Sequence, residues 1–277
     1  MAEGWRFPKM RLLVLAAFSF LTILFLAALL APILPLPDPT QISDAAIQPP
    51  SRLHWFGTDE LGRDVFSGAI YGARVSLMVG ISAAIAASCL GLIIGALSGY
   101  FGGLADLIFM RIAELFQILP TFLLAALVIA VSQPGLPQVI IVIAALSWPQ
   151  PARLMRSEVM RLKGMDFVTL VRCLGVGEGR ILLREVVPNA LGPSLAIAPL
   201  IIGHAILVEV SLGYLGLTDV DVISWGRMLS TGQRFLLNGW WMSMFPGVAI
   251  LLTTLAFNII GDHIETVLDP RRASGRR

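Results

Sequence analysis

Long apolar runs alternate with short polar connectors along this chain, and one connector breaks the rhythm. The apolar stretches lie at about 12–34, 75–99, 105–131, 137–152, 192–213 and 240–262. A helix rising about 1.5 Å per residue needs roughly 20 residues to cross a hydrocarbon core of about 30 Å. All but the fourth meet that length; the fourth is marginal and carries Pro149 and Pro151 near its end. Between the fourth and fifth the chain turns polar without the composition of a flexible loop, opening with Arg153, Arg156, Glu158, Arg161 and Lys163. There Phe167, Leu170, Val171 and Leu174 fall at i, i+3, i+4 and i+7, which predicts one apolar stripe on a short helix. Asp166 suits its N-terminus, and Gly175 follows its end, where a left-handed cap favours glycine. A second short helix is expected from about Glu178 to Val187, stopping at Pro188 because proline lacks a backbone donor. A short striped helix between two spans needs something to pack against, either the protein's own body or a partner.

Arg6, Lys9 and Arg11 precede the first run, which exceeds the usual apolar region of about 7–15 residues in a signal peptide. It reads as a retained span, ended by Pro32, Pro35, Pro37 and Pro39, with a polar segment following to about Ala73. Six spans put both termini on one side, and the basic residues say which. Arg6, Lys9, Arg11, Arg153, Arg156, Arg161, Lys163, Arg172, Arg180, Arg184, Arg271, Arg272, Arg276 and Arg277 make fourteen on that side. Arg52, Arg63, Arg74, Arg227 and Arg234 make five on the other. The excess assigns both termini and the loop at about 153–191 to the cytoplasm.

Composition agrees with the pattern. The chain is 56% hydrophobic and 14% charged, against roughly 45–50% and about 25% in soluble domains, with a mean hydropathy of +0.81. It is an integral membrane protein. The net charge of +2 adds little, because the distribution of basic residues carries the information. Cys89, in a span, and Cys173, in the polar loop, have no metal-ligand spacing, so neither a disulfide nor a metal site is expected. The only lysines are Lys9 and Lys163, and neither stands in a phosphate-binding G-x-x-x-x-G-K-[ST] motif. No H-E-x-x-H, G-x-S-x-G or pair of intramembrane aspartates points to a membrane enzyme. No internal repeat points to a secondary transporter.

Few polar groups lie within the spans. Arg111 and Glu114, at i, i+3, are expected to pair near the start of the third, close to Gln117 and ahead of a kink at Pro120. Glu209 in the fifth must face protein or a wet cavity, as a pathway or gate group or as a buried hydrogen-bond partner. His204 lies about 140° away around the same helix, which argues against a shared metal site and for a hydrogen-bonded packing role. Outside the membrane, residues 54–67 read either as an ordered element at the interface or as a connector held down by Trp55 and Phe56. Residues 214–238 read either as a docking loop or as an ordinary connection.

Several separated motifs then agree in register. Asp166-Phe-Val-x-x-x-Arg172-x-Leu-Gly175, followed by Ile181-x-x-Arg184-x-x-x-Pro188-Asn189, is similar to the Glu-Ala-Ala cytoplasmic loop of ABC-importer permease subunits. His54-Trp-Phe-Gly-Thr-Asp-Glu-Leu-Gly-Arg-Asp-Val-Phe-Ser67 resembles the signature after the first span in the second permease subunit of the dipeptide, oligopeptide and nickel group. Ser224-Trp-Gly226, Trp240-Trp241, Phe245-Pro-Gly247, Ala256-Phe-Asn258, Gly261-Asp262 and Leu268-Asp-Pro-Arg271 match the same group in order. The chain departs from it where Thr169-Leu170-Val171 replace the residues that name the loop.

The resemblance implies an all-α type I importer permease fold of about six transmembrane helices with a cytoplasmic coupling helix. It divides the chain into 1–74, holding the first span and the signature Gly57, Thr58, Asp59, Gly62, Arg63 and Asp64; a transmembrane domain at 75–264; and a basic cytoplasmic tail at 265–277. Coupling to an ATPase is expected of Asp166, Phe167, Thr169, Leu170, Val171, Arg172, Leu174, Gly175 and Arg180, with the apolar stripe in an ATPase groove and the arginines at its rim. Implied partners are a homologous second permease subunit, two cytoplasmic ATPases that hold ATP and Mg, and an extracytoplasmic binding protein. No nucleic acid, catalytic residue, metal or bound cofactor is expected of this chain, which would reside in a bacterial or archaeal inner membrane. Peptide import is the first reading; import of nickel or a metal chelate, or a scaffold that no longer transports, are the alternatives.

Overall fold

The computed structural model describes residues 6–118, 120–132, 135–219 and 221–268, those from 6 to 10 by backbone alone. Of the tail expected at 265–277, residues 265–268 belong to the last helix, and the rest, with Asp269, Pro270 and Arg271 of the last motif, lie outside the described residues. Helices α1 (Arg6–Leu30), α2 (Val65–Phe101) and α12 (Trp241–Leu268) are each long and apolar enough to cross a membrane. Two further runs are broken helices: α3 (Gly103–Ile118) with α4 (Thr121–Val131), bent by 89°, and a pair bent by 52° that joins Glu178–Leu195 to Ala198–Tyr214. The break after α3 includes Pro120, as its missing donor requires. Counting each bent pair as one gives five spans by length and composition. The one remaining predicted run, the fourth, is the shorter α5 (Leu136–Ser147), which continues through Trp148 into the polar helix α6 (Pro149–Lys163). Among the described residues there is no strand, only an isolated bridge between Thr58 and Asp64.

Two boundaries differ from expectation. Helix α2 starts at Val65 rather than near residue 75, because the Asp64 carboxylate accepts the Ser67 amide at 2.8 Å and caps it. Pro188 does not stop the helix after the polar loop. That helix runs as α8 (Glu178–Ile181), a π-helical turn (Leu182–Val186), and α9 (Val187–Leu195), which leads into α10 (Ala198–Tyr214). In the wider turn Val187 donates to the Leu182 carbonyl, five residues back, and Pro188 then falls in the first turn of α9, where no donor is needed.

The 37-residue α2 is the axis of the fold, packed on α6, α10, α5 and α1. Lipid gives helices no hydrophobic reason to associate, so close approach of small residues supplies the packing. Gly91, Gly95 and Gly99 form a stripe against α6: a Cβ on them would stand 2.6 Å from Pro151 Cγ, 2.3 Å from the Ala152 carbonyl oxygen and 2.7 Å from that of Arg156. On other faces Gly80 admits Ile206 of α10, and Gly72 admits Trp225. Large apolar side chains such as Leu12, Ile23, Leu251 and Leu255 point outward from α1 and α12, as lipid contact requires.

Candidate functional site

The polar loop is folded along its length. Helix α7 (Asp166–Cys173) ends at Leu174, and Gly175 follows at φ +79°, the left-handed cap read from the sequence. The expected stripe does not act as one face. Val168, absent from that stripe, is fully buried with Met155, Val159, Ile181 and Val186, while Phe167 and Val171 are partly buried against the same cluster. Leu170 and Leu174 point outward, 64% and 81% exposed. Asp166, Thr169 and Arg180 are exposed as well.

Arg172, though exposed, is turned back onto its own chain. Its Nε donates to Glu178 Oε1 at 2.7 Å and its Nη2 to Oε2 at 3.2 Å, a bidentate pair across the Gly175 turn. The buried Tyr100, at the end of α2, donates its phenol O–H to the same carboxylate. Lys163 donates to the Tyr100 carbonyl at 2.5 Å. The Arg172 guanidinium, then the Tyr100 hydroxyl, hold the Glu178 carboxyl down at about 2, and Glu178 in turn raises Arg172 above its usual range. Neither Tyr100 nor Glu178 was picked out by periodicity. One level above, Arg156 of α6 forks onto Asp106 of α3 at 2.5 and 2.6 Å.

Above the loop a cavity of about 970 Å³ opens between α4, α5, α6, α9 and α10. Gln117, Thr121, Gln150, Arg153, His204 and Glu265 supply its polar wall. His204 is therefore exposed in a cavity wall, not packed by a hydrogen bond as expected. Arg111 and Glu114 pair at 2.8 Å on the exposed side of α3. Glu209 is fully buried outside that cavity; Ser76 of α2 donates to its Oε2 at 2.8 Å, and among the described residues its Oε1 has no partner within hydrogen-bond geometry. Among the described residues no three His, Cys, Asp or Glu side chains are placed to hold a metal ion.

The signature at 54–67 is a compact cap on α2 rather than a connector. Gly57 and Gly62 take φ +75° and +73° where Cβ atoms would stand 2.6 Å from the Gln48 carbonyl oxygen and 2.2 Å from that of Ser43. Thr58 is buried, accepting from the Gln48 amide at 2.8 Å and donating to the Ala45 carbonyl. Asp59 Oδ1 receives the amides of Leu61 and Arg63 at 2.9 and 2.8 Å, and Asp64 pairs with His54 at 3.0 Å. Phe56 stacks on Phe245 with centroids 3.9 Å apart, and Trp241 donates to the Thr58 carbonyl at 3.0 Å. Arg63 and Glu60 line a smaller cavity, about 160 Å³, where burial pushes the Glu60 carboxyl up. The loop before α12 is also folded: Ser224 caps α11 (Trp225–Gly232), and buried Trp225 donates to the Ala69 carbonyl at 2.9 Å.

Residues 91–274, beginning in the glycine stripe of α2 and taking in the whole of α12, match the family of binding-protein-dependent transport system inner membrane components. The chain belongs to this family. The dipeptide transport system permease protein DppC of Alkalihalophilus pseudofirmus is 36% identical over 274 residues, covering 98% of this chain and 90% of that protein. Its Bacillus subtilis namesake is 38% identical over 275 residues, covering 97% and 85%, and the oligopeptide permease OppC of that organism 39% over 227, covering 82% and 74%. These alignments bring α1 and the signature within the family's likeness as well. An inward-facing structure of the MetNI methionine ABC transporter shares the fold at a TM-score of 0.57 and 18% identity, over 72% of this chain and 95% of that one. The chain is thus a multi-pass inner-membrane permease of the type I importer fold, and its folded loop and cavity lie inside the region the family defines.

Proposed function

We propose that this permease is one of two membrane-spanning subunits of an ATP-driven peptide importer, with both termini and the loop at 153–191 in the cytoplasm. The observation that carries the coupling role is the two-sidedness of α7, which is anchored through Val168 and bare at Leu170 and Leu174. An eight-residue helix has little stability of its own, so exposed leucines on one that is pinned in place suit insertion into a partner's groove. That partner is a cytoplasmic ATPase, one of two, which supplies ATP and Mg. A homologous permease completes the membrane part, and an extracytoplasmic binding protein delivers the substrate. The peptide assignment comes from the names of the dipeptide and oligopeptide relatives. Closure of the ATPases would shift α7 and switch the spans between outward- and inward-facing states.

The test is purification of the complex through a tag on this chain, with Leu170 and Leu174 both replaced by Asp. ATPases should accompany the unaltered chain and be lost from the variant, while the variant stays in the membrane and keeps its second permease. Retention of active, stimulated ATPases by the variant would remove α7 from the coupling role. Uptake of a labelled dipeptide by vesicles holding the whole complex tests the substrate, with labelled nickel as the comparison.

A further inference from the structure

The loop meets the cytoplasmic end of α2 at one carboxylate. Glu178 opens α8, where an acid is favoured by the positive end of the helix, and Arg172 closes α7, where a base is favoured. Their bidentate contact therefore locks the end of one helix to the start of the next across the Gly175 turn. Tyr100 brings in α2 through its hydroxyl, and Lys163 brings in α6 through the Tyr100 carbonyl, its ammonium lying 5.3 Å from the centroid of the phenol ring. Four helices converge there. Without this contact α7 would be held inward by Val168, by the partly buried Phe167 and Val171, and by the chain at its two ends.

We propose that Tyr100, Glu178 and Arg172 form a clamp that positions α7 on the end of α2, so that a push on α7 moves the spans instead of rotating the loop. The inference rests on the coupling reading above and adds what lies behind the docking face. Val168 is a pivot: it is the one fully buried side chain of α7, and with Phe167 and Val171 only partly buried beside it, it fixes the distance of α7 from the core while leaving it some freedom to swing. The clamp supplies the second point of attachment, at the far end of α7, that stops the swing. It acts on α2 directly and, because the glycine stripe seats α6 against α2, on α6 with it. The pair stays charged because each partner stabilises the ion of the other. Tyr100, Glu178 and Arg172 are positioning residues here.

The experiment uses the assembled complex in lipid, with its ATPases and binding protein, carrying Glu178→Gln or Tyr100→Phe. The glutamine keeps an acceptor for Tyr100 and removes the charge; the phenylalanine removes one hydroxyl. Two readings are taken: stimulation of ATP hydrolysis by the binding protein, and mobility of a spin label on the exposed Cys173 in a Cys89→Ser background. The Arg172 and Glu178 side chains are 40% and 48% exposed, so water screens the pair, and loss of its charge should lower stimulation by roughly two- to fivefold in Glu178→Gln. The drop should be smaller in Tyr100→Phe, and the label should become more mobile in both, at equal yield of complex. Unchanged stimulation with a mobile label would overturn the clamp, as would an unchanged label. A fall in yield that accounts for the whole loss would reduce the residues to a structural role and also overturn it. The Leu170 and Leu174 variant separates the two ideas: if it keeps its ATPases the coupling reading fails, whereas if it loses them and the clamp variants behave as wild type, only the clamp fails.

Discussion

Replacing Gly95 with alanine adds one methyl group at the tightest point between α2 and α6. The new Cβ would stand 2.3 Å from the Ala152 carbonyl oxygen, 3.0 Å from its carbonyl carbon and 2.9 Å from Met155 Cβ. A carbon and a carbonyl oxygen rest no closer than about 3.3 Å, so the helices must part by about 1 Å. Two of these atoms are backbone and the third is a Cβ, which moves only with its backbone, so no side chain can rotate away. Overpacking of this kind costs about 1–3 kcal/mol. For a chain of this size about 2–4 °C of melting temperature accompanies each kcal/mol, which puts the loss at roughly 4–8 °C for a mid-range cost. The matched control is Gly192→Ala, in α9, where an added Cβ meets nothing within 4 Å. There the change should stabilise, since alanine is better than glycine in a helix by about 0.8–1 kcal/mol. Thermal unfolding of the purified complex in detergent reads both, and binding-protein stimulation reads whether parting α2 from α6 also loosens the loop below. A Gly95→Ala protein as stable as the Gly192→Ala protein would refute the close approach, and with it the account of α2 as the seat of α6.

At Gly175 the space is open but the backbone is left-handed, at φ +79° with nothing within 4 Å of a Cβ. Gly175→Val should therefore cost about 1–2 kcal/mol through conformation alone and lower stimulated ATPase activity, while Gly175→Asn, which tolerates that region, should stay near wild type; equal behaviour of the two would argue against the cap. The clamp also has a pH signature. The Glu178 carboxyl is depressed from 4.5 to about 2, so its contribution is complete above 4.5 and lost as pH falls through that interval. A spin label on Cys173 should be equally immobile from neutral pH down to about 4.5 and loosen below it, with Glu178→Gln loose throughout; a label that loosens at neutral pH would contradict the assignment.

Among the described residues hydropathy located each long apolar helix, because in lipid each backbone group must be satisfied within its own helix and a long apolar run has few other options. It misplaced the start of α2 for a reason visible in the residues. Positions 65–74 carry Gly68, Ala69, Gly72 and Ala73 beside Ser67 and Arg74, which score as weakly apolar. They are small because α11 and Trp225 lie on them, not because they face water. Pro188 misled for a similar reason: a proline rule assumes an α-helix, and one π-helical turn removes the conflict without ending the helix. The signature at 54–67 gave up its chemistry as a motif but not its purpose. That purpose is set by partners such as Gln48, Ser43, Trp241 and Phe245, which come from elsewhere in the chain.

Helix α7 shows most directly what periodicity can and cannot decide. At about 100° per residue, Val168, Val171, Phe167, Leu174 and Leu170 lie in that order around α7 at about 0, 60, 100, 120 and 160°. The apolar arc is thus about 160° wide, against the roughly 100° that a helix needs to cover its own core. Its width was legible, and a four-residue stripe fitted it; which edge is covered was not, since that depends on where α2, α6 and the α8–α9 helix lie. The exposures follow the arc from one edge to the other, with Val168 buried, Val171 and Phe167 partly buried, and Leu174 and Leu170 bare. Body and partner are therefore not rival occupants of one stripe. The body takes one edge, Glu178 fixes the rotation by holding Arg172, and the rotation leaves the opposite edge facing outward. The clamp determines which leucines a partner would find, so docking and positioning are two consequences of a single angle.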